Sequence, residues 1–257
     1  MRPKGTLMRP RRTGIRYLLA AVLTSGMLMP SPVAAALPED ALLPDLGMAP
    51  LTNFRVERRP RGDRWLRFSA VIVNVGDGPF DVVRYTNPAG QLQVDQRVMT
   101  GSGWANEPTA AVMYWSGDGH NHMHVRDLQE YVLVSQNGLV RRYGEKHGFC
   151  FWDNYRYNLS LPGAPANAVY TGSNSCQVLA NGTVLMGLSV GWGDQYPYHL
   201  VDQYINISGL PAGEYTVTAT ADWAGWFVEA NTTNNSTTAR IRLNKNGVTV
   251  LDPGTGP

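Results

Sequence analysis

Short runs of alternating apolar residues, separated by turn residues, are the feature of this sequence that most restricts its fold. In residues 66–72 every second residue is apolar, and the run ends before Gly76-Asp77-Gly78-Pro79. This period of two is typical of a strand with one buried face. No stretch of about 12 residues has the periodicity of an amphipathic helix. The sequence therefore predicts an all-β fold, an antiparallel β-sandwich with long functional loops.

Turn signals locate the other strands. Asn137-Gly138 is a typical two-residue hairpin turn, and residues 209–213 (GLPAG) form a second turn signal. The predicted strands are residues 66–72, 131–135, 139–143, 183–188, 203–207, 215–219, 237–243 and 248–251. Residues 144–182 and 189–202 are predicted to be long loops, which in compact domains are usually functional. Residues 252–257 are predicted to be a frayed tail.

Residues 1–36 have the composition of a secretory signal peptide. Six basic residues and no acidic residue accompany an apolar run of about 13 residues, and an Ala-x-Ala site ends at Ala36. A membrane anchor is the alternative, but this run is shorter than the ~20 residues that span a bilayer. Residues 37–257 are therefore expected to be the mature, secreted domain.

Loss of this segment reverses the net charge of the chain. The full sequence has 22 basic and 20 acidic side chains, a net charge of +2, and removal of the six basic residues changes it to −4. The arginine-rich stretch from Arg55 to Arg67 is interrupted by Glu57 and Asp63 and is predicted to be a solvated strand edge. Nucleic acid is therefore not expected as a partner, and no stable membrane span is expected after signal cleavage.

The chain has two cysteines, Cys150 and Cys176. An even number of cysteines in an exported protein indicates disulfide bonding, so these two are predicted to pair.

Three of the five histidines lie within five residues: His120, His122 and His124. Only an extended segment brings alternate residues to one face, and the preceding glycines permit a bend that lets three imidazoles converge. Neutral imidazoles without a thiolate suit copper, zinc or nickel, and three protein ligands leave coordination positions open for catalysis. A zinc hydrolase would also need a carboxylate base, and Asp118 and Asp127 are near in sequence.

Several segments beyond the histidines resemble the lysyl oxidase family. Residues 120–124 followed by Asp127 are similar to that family's copper-binding segment. Residues 144–150 (GEKHGFC) resemble the region of its cofactor lysine, and residues 187–213 resemble the region of its cofactor tyrosine. Further similar segments are 43–46 (LPDL), 66–68 (LRF), 73–76 (VNVG), Glu229 and 233–235 (TNN). The resemblance covers roughly residues 42–243 in the family's order, and the signal peptide and small size indicate a minimal bacterial member.

The resemblance implies a copper- and quinone-dependent amine oxidase. His120, His122 and His124 would bind Cu²⁺, and Lys146 and Tyr196 would form the cofactor lysine tyrosylquinone from the protein's own side chains. The implied substrates are peptidyl lysine or small primary amines, and molecular oxygen is the oxidant. The products would be an aldehyde, ammonia and hydrogen peroxide, and residues 37–257 would be the catalytic domain.

The identity of the catalytic base stays open at this point. Asp127, Asp194, His147 and His199 each lie near one of the motifs. An acidic group beside a metal often orients a ligand, and Asp127 is assigned that role within the catalytic set. Two other functions remain as alternatives: a zinc-dependent hydrolase that uses the same three histidines, and a non-catalytic extracellular β-sandwich that binds a partner.

Overall fold

A computed structural model describes residues 37–117 and 121–257. The predicted signal peptide, residues 1–36, and residues 118–120 lie outside this description. Nearly all regular structure in the described residues is β, in several antiparallel sheets, which confirms the predicted all-β, sandwich-like fold. Within these same residues, no helix is long and apolar enough to cross a membrane.

The strands are short, as the frequent turn signals predict. In chain order, the described residues form β1 (Leu46–Met48), β2 (Thr52–Arg58), β3 (Arg64–Asn74), β4 (Phe80–Thr86), β5 (Leu92–Thr100), β6 (Gly103–Pro108), β7 (Met113–Trp115), β8 (Met123–Arg126), β9 (Gln129–Ser135), β10 (Arg141–Tyr143), β11 (Gly148–Phe149), β12 (Tyr155–Arg156), β13 (Val184–Leu188), β14 (Trp192–Tyr196), β15 (Tyr204–Asn206), β16 (Gly213–Ala221), β17 (Ser236–Leu243) and β18 (Val248–Asp252). A 3-10 turn, Pro60–Gly62, lies between β2 and β3. Each strand predicted from the sequence overlaps one of these strands.

Strand β3 is the centre of the largest sheet. It pairs with β1, β2, β14 and β15, and β14 also pairs with β12. The other sheets have the orders β10-β9-β16-β17-β18, β13-β4-β5-β6 and β11-β8-β7. The main core is built from the inward faces of these sheets. There Phe68 of β3 meets Tyr131 of β9 edge to face, with ring centroids 5.1 Å apart.

Strand β3 is buried on both faces, whereas its alternating pattern predicts one buried face. Leu66 and Phe68 point into the main core, while Val71 and Val73 pack with Ala49 in a second cluster. Val71 and Val73 are apolar residues on the face opposite Leu66 and Phe68. The alternating pattern therefore underestimates how much of β3 is buried.

The C-terminal residues are tied down, so the prediction of a frayed tail at 252–257 is wrong. The Leu51 N–H donates to the Pro253 carbonyl oxygen at 3.2 Å, and the Thr237 hydroxyl donates to the Thr255 carbonyl oxygen at 2.7 Å. The Tyr157 hydroxyl donates to the Pro257 carbonyl oxygen at 2.7 Å. Hydrogen bonds from partners distant in the sequence hold this segment, and a local pattern cannot reveal them.

Arg67 is 9% exposed, so it is not part of a solvated strand edge as predicted. Its guanidinium pairs with Glu57 and donates to the carbonyl oxygens of Tyr198 at 3.2 Å and Leu200 at 2.9 Å. Arg67 therefore joins β3 to the segment that follows β14.

Strand β14 lies inside the predicted loop 189–202. Its sequence, WGDQY, has few residues that favour strands, so pairing with β3 and not local propensity forms it. Gly193 is opposite Val73, and a Cβ on Gly193 would lie 2.6 Å from the Ile72 carbonyl oxygen. The glycine is therefore required for the close approach of the two backbones.

Cys150 and Cys176 form the predicted disulfide, with Cα atoms 5.8 Å apart. The bond joins the residue after β11 to the segment before β13. The Cys176 carbonyl oxygen accepts the N–H of Met123 at 2.8 Å, so the same segment also contacts β8.

Glu229 holds the loop before β17 against β1. One carboxylate oxygen accepts the Leu46 N–H at 2.6 Å, and the other accepts the Asn235 side-chain amide at 2.8 Å. Burial raises the pKa of Glu229 from an ordinary value of 4.5 to about 8. These two hydrogen bonds oppose the shift, and the charges of Asp222 and Asp45 add to it.

We expect the disulfide to contribute about 3 kcal/mol to the free energy of unfolding, because it closes a loop of 26 residues in the unfolded chain. Replacing both cysteines with serine should lower the unfolding free energy by about that amount in urea denaturation. Iodoacetamide without a reductant is the control and should change nothing, because the described residues contain no free cysteine. Equal stability of the two proteins would contradict this prediction.

We expect the wild type to lose stability as the pH rises from about 4.5 to 8. In this window the folded state keeps the Glu229 proton and the unfolded state releases it, so unfolding becomes more favourable. Glu229→Gln should remove roughly 1–3 kcal/mol of this pH dependence, measured by urea denaturation at pH 5 and pH 8. The same loss of stability in variant and wild type would show that Glu229 is ionised in the fold.

Candidate active site

A cavity of about 250 Å³ lies where β8, β14 and the segments next to β11 meet. Its lining combines two imidazoles, an amine, a phenol and a carboxylate with an apolar wall. The lining residues are His122, His124, Lys146, Cys150, Trp152, Asn154, Asp194, Gln195, Tyr196, Pro197 and Leu200. Residues that are far apart in the sequence therefore meet around one small space.

His122 and His124 turn their ring Nε2 atoms toward each other. These atoms are 3.0 Å apart, and the ring centroids are 4.8 Å apart. His124 lies on β8 and His122 immediately precedes it, so the period of two brings both rings to one side of an extended segment. His120 lies outside the described residues. Among the residues that are described, no three His, Cys, Asp or Glu side chains are grouped to hold a metal.

Lys146 and Tyr196 lie together in the cavity although 50 positions separate them. The side chains are 5% and 4% exposed, and the Lys146 Nζ is 5.3 Å from the centroid of the Tyr196 ring. The same nitrogen is 5.3 Å from the centroid of the Phe149 ring. A lysine amine is thus held in an apolar, aromatic environment beside a tyrosine ring.

The Tyr196 hydroxyl donates to the Cys150 carbonyl oxygen at 2.8 Å. Cys150 is bonded to Cys176, so the disulfide fixes the backbone carbonyl group that accepts this hydrogen bond. Burial, and then the neighbouring Asp194 charge, raise the pKa of Tyr196 well above its ordinary value. The phenol is therefore neutral at physiological pH in this protein.

Asp194 precedes Tyr196 by two residues on β14 and lies on the same face of the strand. It is 2% exposed, and its Oδ1 accepts the side-chain amide of Asn154. Burial raises the pKa of Asp194 well above its usual range, while the nearby Tyr196 hydroxyl, the Asn154 amide and the Lys146 charge act against this shift.

Asp127 is not among the residues that line the cavity. Its Oδ1 lies 2.6 Å from Nδ1 of His147, and its N–H donates to the His147 carbonyl oxygen at 2.6 Å. The His147 side chain is 67% exposed, and His199 is exposed as well. Of the four residues considered as a base from the sequence, the structure brings only Asp194 into the cavity.

Sequence reasoning missed Pro197, Leu200 and Asn154, which help to shape this cavity. Pro197 and Leu200 complete the apolar wall beside Trp152, and Asn154 holds Asp194. Their composition is ordinary for loops, so no sequence signal distinguishes them from other loop residues.

Asp153 follows the segment that resembles the family's cofactor-lysine region, but its structural role could not be predicted, because that role depends on partners far along the chain. Its buried carboxylate accepts the N–H groups of Val169, Tyr170 and Ser189, and the Ser189 hydroxyl at 2.7 Å. Asp153 is thus saturated by donors and anchors the segment that carries Trp152 and Asn154.

Comparison with known proteins identifies the family of this chain. The family model described as lysyl oxidase matches residues 84–252, well over half of the chain, and this range contains His122, His124, Lys146 and Tyr196. No curated protein gives a significant match. The chain belongs to the lysyl oxidase family, whose members are generally extracellular copper amine oxidases.

Proposed function

We propose that this protein is a copper- and quinone-dependent oxidase that converts primary amines, either peptidyl lysine or small amines, to aldehydes. Ammonia and hydrogen peroxide are the other products, and molecular oxygen is the oxidant. The observation that carries this proposal is the meeting of Lys146 and Tyr196 with two imidazoles in one buried cavity.

The residues fit a copper ion. We assign His120, His122 and His124 as its ligands. Two nitrogens that bind one ion at about 2.0–2.1 Å are about 2.8–3.4 Å apart, and the Nε2 atoms of His122 and His124 are separated by 3.0 Å. Both cysteines are in the disulfide, so no thiolate is available, and the imidazole donors of the histidines suit Cu²⁺.

Gly148 gives His124 the space that it needs. A Cβ on this residue would collide with Nδ1 of His124 and with the Tyr114 hydroxyl. Gly148 lies on β11, opposite Arg126 of β8, so the glycine lets the two backbones approach beside the imidazole.

The residues also fit the family's cofactor, lysine tyrosylquinone, which would form from Lys146 and Tyr196. Once formed, this group supplies an electron sink that takes two electrons from the substrate amine. The chain's own contribution is to bury both side chains and to restrict access of water through Trp152 and Leu200. Lys146 has four rotatable bonds, so its amine can close the remaining distance to the ring.

Asp127 supports the segment that carries Lys146. Its hydrogen bonds go to His147, the residue after this lysine, and β8, which carries His124, ends just before Asp127. We therefore propose that Asp127 positions Lys146 relative to the histidines, and does not orient a metal ligand directly.

We further propose that residues 1–36 export the protein and are removed, and that residues 37–257 form the secreted catalytic domain. The net charge of −4 left after removal favours cationic amine substrates such as lysine side chains.

Maturation of the metal-free protein with Cu²⁺ and O₂ tests the proposed function. Tryptic mapping should reveal a covalent link between the peptides of Lys146 and Tyr196, with visible quinone absorbance. Tyr196→Phe should abolish both signals and should lower amine-dependent peroxide release by at least about 10³-fold, because its ring cannot be converted to a quinone.

Unlinked peptides in copper-loaded wild-type protein would contradict this function. A zinc hydrolase would contain zinc after native purification and would release no peroxide from amines. A binding module would likewise release no peroxide, whether or not it held copper.

Gly148→Ala should weaken Cu²⁺ binding by about 10- to 100-fold, because a Cβ would displace His124 from its position. Competition with a chelator under anaerobic conditions measures this affinity. Gly213→Ala is the matched control, since its Cβ would meet the Tyr215 ring at an ordinary 3.8 Å. Unchanged affinity in Gly148→Ala would rule out the assigned role of His124.

A further inference from the structure

Asp194 is the one carboxylate among the described residues that line the cavity. Asp118 lies outside the described residues. Among the residues that the structure describes, the other acidic side chains near the motifs are engaged or exposed. Asp153 accepts hydrogen bonds from donors at Val169, Tyr170 and Ser189, and Asp127 pairs with His147. Glu145 precedes Lys146 but is exposed.

One oxygen of Asp194 is fixed, and the other has no hydrogen-bond donor among the described residues, because the neighbouring Tyr196 hydroxyl donates to the Cys150 carbonyl oxygen instead. Oδ1 accepts the side-chain amide of Asn154, while Oδ2 is buried without a partner among the described residues. The Asn154 amide oxygen in turn accepts the Gln195 N–H at 2.7 Å, so the amide orientation is itself set by the backbone of β14. Asn154 therefore fixes the rotation of the Asp194 carboxylate and leaves Oδ2 available.

A buried carboxylate oxygen without a donor is costly to the fold, on the order of 1–3 kcal/mol for an unsatisfied polar group and more for a charged one. Such a group in a native protein requires an explanation, and a catalytic role is one of them when the group lines a cavity beside other reactive side chains. Asp194 also lies on the same face of β14 as Tyr196, and the charge of Lys146 acts to lower the pKa of Asp194. Asp194 therefore lines the same cavity as both residues that would form the quinone.

We propose that Asp194 is the catalytic base of this site, with Asn154 as its positioning residue. The proposal rests on the proposed amine oxidase function. Oδ2 removes the proton from the carbon that carries the substrate nitrogen, and Asp194 becomes a neutral carboxylic acid. The quinone, once formed from Lys146 and Tyr196, would supply the acceptor for the electron pair of the broken C–H bond, so that the carbon is oxidised and water releases it as the aldehyde. Molecular oxygen then takes up these two electrons and two protons to give hydrogen peroxide.

The environment of Asp194 favours this step. Burial raises the pKa of Asp194, so the carboxylate holds a proton more strongly than an exposed aspartate does. The product of proton transfer is neutral, and a neutral acid is easier to accommodate in a buried cavity than a charged one.

Asp194→Asn tests this proposal, because it removes the base and keeps the shape of the side chain. The variant is matured with Cu²⁺ and O₂ and checked for the Lys146–Tyr196 cross-link by peptide mapping, and one portion is labelled with phenylhydrazine. A separate, unlabelled portion is mixed anaerobically with n-butylamine while quinone absorbance is followed. The cross-link and the label should persist, and reduction by the amine should slow by about 10²- to 10⁴-fold.

A deuterated substrate identifies the bond that breaks. Butylamine carrying two deuterium atoms on the carbon next to nitrogen should reduce the wild-type protein several-fold more slowly than ordinary butylamine. Glu145→Gln makes the same carboxylate-to-amide change on an exposed residue and should reduce at the wild-type rate. Reduction of Asp194→Asn within threefold of wild type would overturn the proposal.

Loss of the cross-link in Asp194→Asn alone would also overturn the proposal, since it would assign Asp194 to formation of the cofactor. Loss of the cross-link in wild type would instead contradict the proposed function itself. Should Asp194→Asn fail to fold, Asn154→Ala decides the question. It should slow anaerobic reduction about tenfold without changing the butylamine concentration that gives half-maximal rate, and an unchanged rate would overturn the proposal.

Discussion

The antiparallel pairing of β14 with β3 is the interaction on which the candidate site depends. Tyr196 lies opposite Ala70 and Gly193 lies opposite Val73 in this ladder. A shift by one residue would turn Tyr196 and Asp194 to the other face of the sheet, away from Lys146. Register is fixed by Gly193, since only a residue without Cβ fits against the Ile72 carbonyl oxygen. Arg67 reinforces the pairing, because it binds the carbonyl oxygens that follow β14.

The opposite wall of the cavity comes from segments with little regular structure, and specific polar contacts replace sheet hydrogen bonds there. The disulfide holds Cys150, and the buried carboxylate of Asp153 accepts hydrogen bonds from the N–H groups of Tyr170 and Ser189. Loops of this length order themselves at a large cost in conformational entropy, so such contacts are needed to keep the site in one geometry. Rigid strands therefore carry Tyr196 and His124, while crosslinked loops carry Lys146.

Local sequence patterns predicted those parts of the fold whose formation is local. The hairpin at Asn137-Gly138 and the alternation of β16 and β17 follow from turn chemistry and the period of two. Strand β14 could not be predicted from the sequence, because pairing with β3 and not its own composition makes it a strand. The burial of Arg67 and the attachment of the C-terminal residues escaped prediction for the same reason, as both depend on partners far along the chain.

The candidate site divides in the same way. The alternate spacing of His122 and His124 predicted their convergence on an extended segment, whereas Lys146 and Tyr196 could be named only by resemblance to a family. Neither source distinguished Asp194 from three other residues, because its free oxygen is a property of the packed cavity.

The hydrogen bond from Tyr196 to the Cys150 carbonyl connects the disulfide to the proposed cofactor. The disulfide fixes the peptide group that orients the phenol ring, and under the proposed function this is the ring that copper and oxygen would oxidise. The oxidation state of the two cysteines should therefore affect cofactor formation in addition to the supply of copper. Under the proposed function, protein with reduced cysteines would bind the metal while Cys150 is not held by Cys176, whereas protein with the disulfide formed would bind it with this part of the cavity already fixed.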